Sequence, residues 1–284
     1  MKTILIPTDF SKNAWNTITY AMNFFKDKRC TFYFLHTYTP AFYRMDYMLG
    51  GPEFSAIPDV GVDNSLAGLE KTLENVIEKF HNPKHIYEII SAFNILTDEI
   101  NELTDKKHID LIIMGTQGAT GAKEIFLGSN TVHVIRKAKV PILGIPAGYK
   151  FRRIEKILFP TDYLTKYKND ELYSAIEIAK MFLTPITVLH VKDEYELTKD
   201  QEENKKQLEL LLAQIPYEMK EVRGTRMPKA VFDYIEENDI DLLTMRNRKH
   251  SFLERMMTRQ NVEQIGFHVK IPFLVIPDTS KTSK

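Results

Sequence analysis

The chain has 284 residues, with 38 basic and 38 acidic side chains and so no formal net charge. That balance gives no support to a polyanion-binding protein, and a single cysteine, Cys30, excludes an intramolecular disulfide framework and fits a reducing compartment. The length allows two domains with separate cores, and no segment approaches the roughly 20 apolar residues of a membrane helix. Asp9 interrupts the N-terminal apolar run before a signal-peptide core could form. The expectation is a soluble cytoplasmic protein with no nucleic-acid or membrane partner.

Taken in chain order, the apolar run 4–8 predicts a strand, and a helix follows from about Lys12 to Phe25 with Ser11 as its N-cap. Trp15, Tyr20, Phe24 and Phe25 are expected to face the core. A strand at 31–36 leads into a long loop, Tyr38 to Val62, rich in glycine and proline. Its aromatics Tyr43, Tyr47 and Phe54 suit a lid or a partner surface. A helix at 64–81 places Leu66, Leu69, Leu73 and Ile77 on one face, before a strand at 85–93 and a helix at 97–107. Strand 109–114, a glycine-bearing loop, helix 130–138 and strand 141–145 complete the first unit.

The second half repeats the first. TILIPTDF at 3–10 recurs as KILFPTDY at 156–163, and FYFLHTYTP at 32–40 is answered by ITVLHVKDE at 186–194. IDLIIMGTQG at 109–118 returns as IDLLTMRNRK at 240–249, and VPILGIP at 140–146 as IPFLVIP at 271–277. Four blocks in one order set a boundary near 147–153, giving domains 1–148 and 152–279. Predicted strands at 156–160, 186–190, 217–222, 241–245 and 272–276 alternate with helices at 165–183, 199–214, 227–237 and 259–268. Strands as uniformly apolar as LIIM belong to a parallel sheet covered on both faces, so each unit reads as a doubly wound α/β domain.

The segment MGTQGATGAKEIFLGSN, 114–130, concentrates the chemistry. Glycine at a strand's C-terminal end lets backbone amides approach an anion with no Cβ in the way. Gly128-Ser129 then opens a helix whose first amides have no intrahelical partner and whose dipole favours negative charge.

P-T-D-F/Y on the first strand, L-H-T/V on the second and G-x2-G-x9-G-S after the fourth resemble the universal stress protein family, over two tandem domains. The resemblance implies two five-stranded parallel sheets of order 3-2-1-4-5, of a Rossmann-like adenine-nucleotide-binding type. Asp9 and Gly115 would then face each other across the crevice at the topological switch point. It implies ATP, with Mg2+ bridging the phosphates, held by Pro7, Asp9, Thr37, Met114, Gly115, Thr116, Gly118, Gly128, Ser129 and Asn130. Asp9 would contact the adenosine portion and Thr37 the base; Gly115, Gly118, Gly128 and Ser129 would cradle the phosphates. It also implies that the halves associate through their fifth strands as a pseudo-dimer, with a homodimer as a further option.

Each of these residues has a plainer role to weigh. Asp9 suits an Asx-turn, His36 and His190 suit structural histidines, and Cys30 suits a small buried hydrophobe. In the second half Arg246, Lys249, Arg259 and Gln260 replace the residues matching Gly115, Gly118, Gly128 and Ser129, although Asp162 stands where Asp9 does. The second site is therefore degenerate, and its basic loop 246–259 suits a solvated loop, a different anion site or a partner surface. A P-loop G-x4-G-K-[ST] is missing, and no catalytic group can be assigned. The expected function is a nucleotide-responsive stress regulator, non-catalytic or at most weakly ATP-hydrolysing. The alternatives are an ATP-hydrolysing or adenylyl-transferring enzyme on the same fold, or a nucleotide-free scaffold.

Overall fold

The computed structural model describes residues 1–38, 60–117, 128–192, 196–223, 227–248, 253 and 270–278. The first half runs β1 (Lys2–Pro7), α1 (Lys12–Phe24), β2 (Cys30–Tyr38), α2 (Val60–Phe80), β3 (His85–Phe93), α3 (Leu96–Lys107), β4 (Leu111–Gly115), α4 (Ser129–Lys137) and β5 (Ile142–Ile145). The second runs β6 (Ile157–Thr161), α5 (Asn169–Phe182), β7 (Ile186–Lys192), α6 (Lys199–Leu212), β8 (Tyr217–Arg223), α7 (Met227–Asn238), β9 (Leu242–Arg246) and β10 (Phe273–Ile276). The helix expected at 259–268, Gly118 and the loop aromatics Tyr43, Tyr47 and Phe54 lie outside the described residues.

The ten strands among the described residues form one sheet, in the order β3-β2-β1-β4-β5-β10-β9-β6-β7-β8. Pairing is parallel within each half and antiparallel where β5 meets β10, with Phe273 opposite Gly144 and Leu274 opposite Leu143. The two expected sheets are therefore continuous. Glycine at 144 is required by a close approach: a Cβ there would lie 2.5 Å from the Phe273 ring.

The strands alternate between two apolar layers, as their period of two dictates. Ile4 and Ile6 pack with Ile18 and Tyr20 of α1 and Leu69 and Val76 of α2, while Leu5 packs on the other face with Ile100 of α3 and Val134 of α4. Tyr20, Phe24 and Phe25 are buried as expected, Trp15 packs partly buried against them, and Cys30 is fully buried. Ser11 caps α1, its Oγ accepting from the Ala14 amide at 3.1 Å.

Two elements differ from their expected form. On α2 the buried positions are Ser65, Leu69, Thr72 and Val76, whereas Leu66 and Ile77 are exposed. The hydroxyls are accommodated because Thr72 donates to the Gly68 carbonyl and Ser65 bonds Ser91 and His36. The expected helix at 165–183 begins only at Asn169. Residues 165–167 instead turn a hydroxyl, a carbonyl and a ring toward Arg246.

Candidate functional site

The turn after β1 is folded by its own side chains. Thr8 Oγ1 accepts from the Phe10 amide at 3.1 Å, and Asp9 Oδ1 accepts from the Ser11 amide at 3.0 Å. Phe10 lies at φ 61, a left-handed conformation costly for a residue with a Cβ, and its ring stacks on His36. The second half repeats the device: Thr161 and Asp162 accept from the Tyr163 and Leu164 amides, and Tyr163 lies at φ 55. Asp9 thus has the Asx-turn role and still stands at the mouth of a cleft.

β1 and β4 are neighbours, so the ends of both strands open on the same side. Beyond β4 the Thr116 amide bonds Ile145 O at 3.0 Å and Thr116 O accepts from the Gly128 amide at 2.7 Å. Thr131 Oγ1 donates to Gly115 O at 3.0 Å. These bonds tie the first turn of α4 to the end of β4. The helix begins after Gly128 with no acidic residue in its first turn, which leaves that end favourable to an anion. A Cβ at Gly115 would approach Thr17 Oγ1 to 3.0 Å, so glycine keeps β4 close to α1.

The resulting cleft has a volume of about 390 Å³. Of the residues expected in a nucleotide site, it brings together Pro7, Asp9, Thr37, Met114, Gly115, Gly128, Ser129 and Asn130. Thr116 is buried beside them and contributes its backbone to the β4–α4 connection, and Gly118 lies outside the described residues. His36, Leu96 and Gln117 also line the cleft. From the sequence alone His36 reads only as a structural residue. Its position on the same strand end as Thr37 was the signal.

The corresponding place in the second half is filled from within. Arg246, which replaces Gly115, extends over the Tyr167 ring at 4.6 Å and pairs with Glu171 at 2.8 Å. It also donates to Thr165 Oγ1 and Lys166 O, each at 2.9 Å. Arg248 bonds the other Glu171 oxygen at 3.1 Å and Asp278 at 3.1 Å. Burial pushes the Arg246 pKa down while Glu171 pulls it up, and an arginine stays charged throughout. These two cations are therefore structural, which corrects the solvated-loop reading for 246 and 248. Lys249, Arg259 and Gln260 lie outside the described residues.

Among the described residues no group of three His, Cys, Asp or Glu side chains could hold a metal ion, and no helix is long and apolar enough to cross a membrane.

The fold defines a doubly wound α/β protein with a cleft at the β1–β4 switch point. Residues 1–146 and 153–277 each match the Universal stress protein family. Universal stress protein MJ0577 of Methanocaldococcus jannaschii is 30% identical over 157 residues, covering 51% of this chain and 94% of the relative. Universal stress protein MJ0531 of the same organism is 31% identical over 156 residues, covering 51% of this chain and 81% of the relative. A universal stress protein from Archaeoglobus fulgidus superposes with a TM-score of 0.67 at 20% identity, covering 97% of this chain and 98% of the other, a likeness of fold. The chain belongs to the universal stress protein family, as a tandem two-domain member.

Proposed function

We propose that this protein binds one ATP in its first half and works as a nucleotide-responsive regulator in a stress response, with at most weak hydrolysis. The observation that carries the reading is the cleft at the β1–β4 switch point. There, Gly115 leaves no side chain at the end of β4, and the acid-free first turn of α4 stands beside it. Bare helix amides and the helix dipole suit phosphate, while Pro7, Asp9 and Thr37 border the volume left for the nucleoside. A Mg2+ ion would accompany the triphosphate and be held in part by its oxygens. Domain 1–148 is the nucleotide-binding half in this reading. Domain 152–279 is a partner half whose site is closed by Arg246 and Glu171.

The β5–β10 seam supports reading the two halves as a pseudo-dimer within one chain, with β3 and β8 at the outer edges. The single buried cysteine and the balanced charge suit a cytoplasmic location. The test is denaturing extraction of the purified protein with mass spectrometry of whatever is released. ATP supports the reading, ADP alone favours an enzyme, and no nucleotide together with no binding of added ATP favours a scaffold.

A further inference from the structure

His36 lines the cleft from the end of β2, its ring stacked on Phe10 with centroids 4.5 Å apart. Its Nδ1 lies 2.9 Å from Ser65 Oγ on α2, and that oxygen lies 2.7 Å from Ser91 Oγ on β3. Ser65 is fully buried. Nε2 makes no hydrogen bond among the described residues.

The repeat supplies an internal control. The matching histidine, His190, sets its Nδ1 3.1 Å from the Thr161 carbonyl and is buried. A carbonyl only accepts, so His190 carries a proton on Nδ1. His36 faces the Ser65 hydroxyl instead, which is backed by that of Ser91, and each hydroxyl has one proton to give. With Ser91 donating to Ser65 and Ser65 donating to Nδ1, both protons are used and the ring's own proton sits on Nε2. The reverse direction makes the same two bonds and leaves the proton of half-buried Ser91, rather than that of Nε2, to solvent. Where the carbonyl fixes the proton on Nδ1 of His190, the hydroxyl pair thus permits the opposite tautomer in His36, with a donor left over at Nε2 toward the cleft.

We propose that His36 is a specificity-determining contact of the cleft, its Nε2–H donating to an acceptor on the bound nucleotide while Ser65 and Ser91 set the tautomer. This rests on the nucleotide reading above. α2 presents the Ser65 hydroxyl to the ring, Ser91 of β3 stands behind that hydroxyl, Phe10 covers one face, and Asp9 is the charged group whose field reaches it. Burial pushes the His36 pKa down and outweighs Asp9, so the free protein holds the ring neutral at physiological pH. Protonation keeps the Nε2 donor, reverses the hydroxyl chain and adds a positive charge beside an anionic ligand. Bound nucleotide then raises the His36 pKa, and by linkage affinity rises as pH falls through that raised value.

The experiment is calorimetric titration of the full chain with ATP at about pH 7.5 and about pH 6, for wild type and His36→Gln. Glutamine places an amide donor near Nε2 and cannot take up a proton. The ATP phosphate titrates in the same range but contributes equally to both proteins, so it cancels in their affinity ratio. The wild-type advantage over His36→Gln should grow by about threefold to tenfold at the lower pH, a modest coupling. An unchanged ratio overturns the role of His36 and leaves the nucleotide reading standing, whereas no binding by either protein overturns both. The nitrogen NMR shifts of His36 in the wild type provide a readout free of any substitution: near pH 7.5 they should show a proton on Nε2 and a bare Nδ1. A proton on Nδ1 overturns the proposal.

Discussion

Arg246 and Glu171 form an ion pair at 2.8 Å whose side chains are 9% and 1% exposed, in the place that the first half keeps open with Gly115. One glycine-to-arginine difference between the repeats thus coincides with a side chain in that place, a late start to α5 and a carboxylate paired with two arginines. Removing one member of a buried pair strands the other charge, which costs about 3–5 kcal/mol. Glu171→Gln should therefore lower the denaturation midpoint of the full chain sharply, because Arg246 loses its paired carboxylate and Arg248 keeps only Asp278. A urea titration with an unchanged midpoint would show that the cluster is not formed.

The seam between the halves depends on Gly144. Its missing side chain makes room for the Phe273 ring of β10, which a Cβ would meet at 2.5 Å. Gly144→Val should destabilise the chain by about 1–3 kcal/mol, the usual cost of overpacking. Phe273→Leu in the same chain should recover part of that loss. Thermal unfolding of the single and double variants reads out both effects, and strictly additive losses would contradict the register described here.

Gly115 is constrained from the side of α1. A Cβ there would press on Thr17 Oγ1 at 3.0 Å, and that hydroxyl is already held by the Asn13 carbonyl. Gly115→Val should weaken ATP binding and lower stability, and Thr17→Ala should soften the stability loss by opening the contact. Titration and unfolding of the two variants together check this; an ATP affinity unaffected by Gly115→Val would place the ligand elsewhere.

Cys30 should be chemically silent in the folded protein. It is fully buried, and burial pushes its thiol up to about 11, so almost no thiolate exists near neutrality. A thiol reagent at about pH 8 should react with Cys30 only after denaturation. Rapid labelling of the native chain would contradict its placement at the start of β2.

The repeat, the apolar strands and the glycine-bearing connection after β4 were legible because they rest on short-range rules: period-two burial, Ser11 capping, and glycine where backbones approach. The buried face of α2 was not, because Ser65 and Thr72 are buried through hydrogen bonds that form only in the fold, while Leu66 and Ile77 remain outside. Arg246 was legible as the loss of a glycine but not as a filler of the cleft. Its partners Thr165, Lys166 and Glu171 lie about 80 residues away in sequence, and nothing local marks them. His36 looked like His190 in every local respect, and only the contact with Ser65 and Ser91 separates the two.

The asymmetry of the two halves is tested most directly by the nucleotide stoichiometry of the intact chain. Calorimetric titration with ATP should give one site per chain, weakened by Gly115→Val and unaffected by Glu203→Gln, a change on the exposed surface of α6 in the second half. Two sites per chain, or saturable binding that survives Gly115→Val unchanged, would contradict the account.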